Sequence, residues 1–179
     1  MTDRLPLPTT LSPEQHDAVE RISSGPRGGL YGPFVPLLRA PELMTRVQQV
    51  GEYLRFESAL PDHLRELIIL LIAREWDQGF EWGHHVPLAR RYGLGDQVIT
   101  EIGARGRPVG PDDVQAVWRL VAELLGTRRV TEATFRNVSD RVGDVGVVEA
   151  IVTVGYYTTL AMTLNAAQTP VPDDYEALP

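Results

Sequence analysis

The block Leu-Ile-Ile-Leu-Leu-Ile-Ala at residues 67–73 constrains this chain more than any other feature. Seven apolar residues in a row, within a stretch running from about Asp62 to Gln78, predict a helix that is apolar almost all round. Such a helix must be covered by protein on nearly every side, which places it at the centre of a bundle. Glu66 stands one residue before the block, so a carboxylate is expected in the most apolar helix of the molecule.

The rest of the chain supplies helices to surround it. Ser12-Pro13 followed by Gln15 reads as a capping box with proline at the first helical position, opening a short helix to about Ile22. Residues 23–38 (SSGPRGGLYGPFVPLL) are too rich in Gly and Pro for a regular helix and read as a loop with apolar anchors. Helical spacing of Leu43, Val47, Val50 and Leu54 predicts a helix over about 41–56. Further helices are expected near 80–92, closed by Gly93, and over 96–104, 111–125, 131–142 and 144–167. Strand-like alternation is scarce, so the fold class is all-α, a single helical bundle. The chain divides into an N-terminal segment (1–25), a main domain (26–167) and an acidic tail (168–179).

At 179 residues the chain can bury a full-sized core without staples. A net charge of -7 argues against a nucleic-acid partner, which would demand a basic face. The absence of cysteine excludes disulfides, thiolate metal sites and any thiol nucleophile in this chain. Residues 145–164 are apolar enough to raise a membrane span, but Glu149 falls within them and would be costly in lipid. A core helix is the expectation, with no membrane partner. The start MTDRLPLPTT lacks a charged segment followed by an apolar one, so a cytoplasmic location is expected.

Glu81 and His85 lie four apart on one predicted helix and can meet on one face, with His84 beside them. A carboxylate next to an imidazole fixes its tautomer and raises its basicity, the usual preparation for acid–base work. Glu66, among apolar neighbours, suits a proton donor. Each residue also has a plainer reading. Glu81–His85 is equally consistent with a surface pair, and Glu66 with a structural ion pair to Arg65 or Arg74. Two histidines and two glutamates also raise a metal site, although no HExxH pattern is present.

The segment RELIILLIAREWDQGFEWGHHVPLARRYGL resembles the core motif of the carboxymuconolactone decarboxylase and alkylhydroperoxidase-D-like superfamily. In the peroxidase branch a glutamate is followed twelve residues later by a CxxC pair, and a histidine stands four residues past the second cysteine. Counted from Glu66, those positions hold Gln78, Glu81 and His85. The outer glutamate and histidine match, while both cysteine positions are replaced, which removes thiol–disulfide chemistry. The words EW, HH and VPLAR, with upstream GPFVPLLRAPEL and terminal GYYTTLAMTLNA, are similar to the decarboxylase-like branch over residues 26–167.

That resemblance implies an all-α, alkylhydroperoxidase-D-like fold, self-association as a homotrimer or homohexamer, and a reaction that needs no cofactor. The family reaction removes carbon dioxide from a carboxylated unsaturated lactone, so the protein must stabilise an enolate-like oxyanion and deliver one proton. The expected function is acid–base catalysis, by a lyase or isomerase, on a small unsaturated carbonyl or lactone acid. His85 is expected as acid or base, oriented by Glu81, with Glu66 as a second proton carrier. His84, Arg27, Tyr31 and Trp82 are expected substrate contacts, and no metal is required. Two alternatives stay open: a binding or assembly protein without catalysis, and a metal-dependent enzyme using the Glu/His cluster.

Overall fold

Ser12 starts the first helix as its sequence predicts. In the computed structural model, which describes residues 2–179, its side chain accepts from the Gln15 N–H, and the Gln15 side chain accepts from the Ser12 N–H. This closed box caps α1 (Pro13–Ser24). The Gly/Pro stretch that follows is not all loop: it holds one helical turn, α2 (Phe34–Leu37). Phe34 and Leu38 anchor it against Ala18, Ile22 and Met44, a small apolar cluster of its own.

α3 (Pro41–Phe56) and α4 (Asp62–Glu75) follow. In α4, Leu67, Ile68, Ile69 and Leu70 are all 0% exposed, so the helix is covered on every side. It packs against α5, α6, α7 and α8. Each of these fully buried side chains contributes about 1.5–3 kcal/mol of apolar burial.

Gly79, the first residue of α5, does not make the turn from α4. Asp77 takes the left-handed conformation at φ 47°, and the Gln78 N–H returns to the Ala73 carbonyl at 2.8 Å. That six-to-one bond closes α4. Gln78 then caps α5 (Gly79–Arg91), its side chain accepting from the Phe80 N–H at 2.7 Å. α5 continues through Pro87 and closes as predicted at Gly93, φ 90°, with the Leu94 N–H on the Ala89 carbonyl at 2.9 Å.

α6 (Asp96–Gly103) and α7 (Asp112–Thr127) lead to α8 (Glu132–Ala167). The two helices expected over 131–142 and 144–167 join end to end across Gly143, whose φ of 70° and ψ of 171° interrupt the helix. A side chain at that dihedral would be strained. By length and composition α8 could cross a membrane, and 56% of its most apolar window is buried inside the molecule. Glu149, the expected obstacle, is buried but fully engaged. It accepts from Tyr53 at 2.6 Å, Ser58 at 2.9 Å and the Leu60 N–H at 3.0 Å, tying the α3–α4 turn to α8. Among the described residues there are eight helices and no strand, the all-α class expected.

The segment after α8 does not trail away. Residues 171–179 run back over α5 to the end of α6: Val171 sits at Gly79, Tyr175 and Glu176 lie on Gly83, and Pro179 sits at Gly103.

Candidate active site

α4 and α5 face each other, and their contact line carries the site. Glu66 projects from α4 and is 0% exposed; Glu81 and His85 project from α5 at 4% and 2%. His85 lies between the two carboxylates. Its Nδ1 is hydrogen-bonded to Glu66 Oε2 at 2.7 Å, and its Nε2 lies 3.5 Å from Glu81 Oε2. Helical spacing assigns the orienting place to Glu81; the closer carboxylate is Glu66, which comes from another helix. The second Glu66 oxygen, Oε1, has no hydrogen bond and lies 3.6 Å from Arg65 Nε. Burial pushes the Glu81 carboxyl above its ordinary range, against the pull of His85, Arg27 and Arg55. Glu81 is therefore a carboxyl that holds its proton more readily than usual, beside the open nitrogen of His85.

His84 stands next to this group in an aromatic box. Its ring stacks on Phe80 at 6.1 Å with 10° between planes, tilts against Tyr31 at 5.6 Å, and its Nδ1 lies 3.1 Å from the Tyr175 hydroxyl. Burial, and then the charges of His85, Arg55 and Arg27, push its pKa down to about 3. His84 is thus a neutral imidazole at physiological pH.

Arg27 and Tyr31, the candidates from the Gly/Pro loop, line the same pocket as Glu81, His84 and His85. The Arg27 guanidinium lies 4.4 Å over the Phe34 ring, and its Nε and Nη2 are buried without a hydrogen-bond partner. Beside it, the buried Tyr156 hydroxyl is also unpartnered. The two meet above Gly51, where an added Cβ would collide with the Tyr156 oxygen and lie 3.0 Å from Arg27 Nη2. The pocket's free volume is about 10 Å³, room for roughly one water.

Two polar pocket residues went unrecognised in the sequence. Arg55 of α3 and Tyr157 of α8 line the cavity, and Tyr157 meets the His85 ring edge-on at 5.3 Å. The available signal for Arg55 was Gly51, one turn earlier, because glycine inside a helix marks close approach by something else. Trp82 is not brought into this pocket. Expected as a substrate contact, it is 1% exposed, part of the main core, and has its ring against Gly103. It follows Glu81 directly, and one step along a helix turns a side chain about 100° away. For the metal reading, no group of three or more His, Cys, Asp or Glu side chains among the described residues could hold an ion. Both carboxylates address the imidazole rather than a shared point.

An all-helical bundle with a buried carboxylate–imidazole–carboxylate line is the class defined by this fold and site. A family model described as "Carboxymuconolactone decarboxylase family" matches residues 41–124, from the start of α3 into α7, and over this segment the chain is similar to that family. The match carries Glu66, Glu81 and His85. No curated protein matches the chain.

Proposed function

We propose that the protein is a cofactor-independent acid–base enzyme acting on a small unsaturated carbonyl or lactone carboxylic acid. The observation that carries this reading is one juxtaposition: His85 between two buried carboxylates, in a pocket shared with the unpartnered guanidinium edge of Arg27. A half-buried arginine whose buried N–H groups are free recognises a planar carboxylate or an oxyanion.

In this mechanism the cavity, which has room for about one water in this structure, widens to admit the substrate; Arg27, with Arg55 nearby, then binds its anionic group, and Tyr31 contacts its carbonyl. For decarboxylation, the bond from the ring carbon to the carboxylate breaks and carbon dioxide leaves. The electron pair moves through the double bond onto the lactone carbonyl, giving a dienolate oxyanion. His84, as a neutral donor, hydrogen-bonds that oxygen. One proton then passes to carbon from His85 Nε2, replenished by Glu81, while Glu66 holds the ring through Nδ1. Isomerisation uses the same groups without loss of carbon dioxide. Incubating the protein with carboxylated unsaturated lactones and following mass separates the outcomes. Loss of one carbon dioxide per turnover is expected; a mass-neutral shift selects the isomerase, and no conversion across the class rejects the reading.

Self-association belongs to the same proposal. α8 exposes Val145 and Val148 at 61% and 59%, next to Val50 and Tyr53 of α3, around an apolar groove of about 400 Å³. A face of this kind favours a protein partner. A trimer or hexamer is expected in sedimentation velocity, and Val148→Asp should shift it toward monomer. A monomeric parent protein would remove this part of the proposal.

A further inference from the structure

The C-terminal segment is built into the site. Tyr175 lies on α5 so closely that a Cβ on Gly83 would sit 2.5 Å from its own Cβ and 3.0 Å from the Glu176 carbonyl. The phenol ring packs on Phe80 at 5.3 Å and beside His84 at 6.1 Å. Next to it, Arg90 Nη1 and Nη2 hold both Glu176 oxygens, at 2.5 and 3.2 Å. Leu178 packs against the main core. The segment is thus anchored around Tyr175, and its hydroxyl is delivered to one atom, His84 Nδ1, at 3.1 Å.

We propose that Tyr175 is a positioning residue: its hydroxyl donates to His84 Nδ1 and so fixes the tautomer in which Nε2 carries the hydrogen for the pocket. A neutral imidazole has one acceptor nitrogen and one donor nitrogen, and a hydrogen bond to one decides the role of the other. The surroundings of His84 agree with this assignment. Burial first, and then the charges of His85, Arg55 and Arg27, keep the ring neutral, while burial raises the Tyr175 phenol so that it retains its proton. Phe80 lies parallel to the ring and Tyr31 tilts against it, and the Tyr175 hydroxyl is the hydrogen-bond partner at Nδ1. The consequence is that an oxyanion donor is prepared by a residue 91 positions away in sequence.

The role in turnover rests on the proposed acid–base reading, but the tautomer does not, so the test is made without substrate. The chain has four histidines, and uniformly ¹⁵N-labelled protein gives each ring a separate long-range ¹H–¹⁵N pattern. His84→Gln identifies the pattern of residue 84. In the parent protein that ring should show an unprotonated Nδ1 and a protonated Nε2 at neutral pH. Tyr175→Phe keeps the packing ring and removes the hydroxyl; the pattern should move to an average of both tautomers. A parent ring protonated at Nδ1, or a pattern unchanged in Tyr175→Phe, overturns the proposal. With a substrate in hand, Tyr175→Phe should lower kcat about 10–100-fold and leave KM nearly constant. If the tautomer shifts but no substrate is turned over, the acid–base reading fails and the positioning role stands. If turnover depends on His85 but the tautomer does not shift, the positioning role alone fails.

Discussion

His85→Ala should reduce turnover of the true substrate by about 10²–10⁴-fold, the range expected when a general acid–base group is lost. The same substitution should be felt in the fold. Glu66 and Glu81 are both buried and both lie against the imidazole, so its removal leaves two carboxylates facing a cavity. Breaking such a buried arrangement costs about 3–5 kcal/mol. The loss should depend on pH in a defined direction. Burial already raises the Glu81 carboxyl, and His85 is the first of the groups opposing that rise. Without His85 the folded state binds a proton more tightly than the unfolded chain does. Stability contributed by that proton is present at acid pH and lost as pH rises through the folded value. Denaturant titrations at several pH values should therefore show the variant closest to the parent at the acid end and falling further below it as pH rises. A variant that keeps full activity would remove His85 from the mechanism, and one with a flat difference across pH would contradict the buried-carboxylate account.

Trp82→Ala should have the largest purely structural effect. Trp82 is among the largest fully buried side chains, and truncating such a residue costs about 3–5 kcal/mol. For a chain of this size that corresponds to a fall in Tm of roughly 6–20 °C. Trp82→Phe should cost far less, about 1–2 kcal/mol, because the smaller ring opens a smaller cavity and also removes an indole N–H that has no partner. Its KM and kcat should match the parent's. A Trp82→Phe protein that is stable yet fails to bind substrate would return the residue to the pocket. Scanning calorimetry with a turnover assay reads both quantities.

Trp82 shows where a sequence stops being legible. Helix placement is readable from local rules: the Ser12 box, the apolar spacing over 41–56 and the closure at Gly93 all depend on neighbours within one or two turns. Glu66 and His85 are readable because their spacing matches a family motif. Their relative roles are not, since the 2.7 Å bond joins two helices and depends on how those helices face. Arg55 looks like an ordinary charged residue near a helix end until Phe34 of α2 and Tyr157 of α8 close around the same cavity. Residues 168–179 read as an acidic tail because Pro170, Pro172 and the two aspartates that follow say nothing of a destination. Tyr175 and Leu178 acquire one only when Gly83 and the core are in place.

Gln78 stands where the peroxidase branch of the family carries its first cysteine, and the position has been put to another use. Its amide oxygen caps α5, and its amide nitrogen donates to Asn165 on α8 at 2.7 Å. Asn165 in turn donates to the Trp76 carbonyl at the end of α4 at 2.8 Å. Returning a sulfur there would uncap one helix, at about 1 kcal/mol, and cut the clamp that joins three. The thiol-free state is therefore held by the architecture as well as by composition: a redox redesign would need a different joint between α4, α5 and α8 before it could need a different reaction.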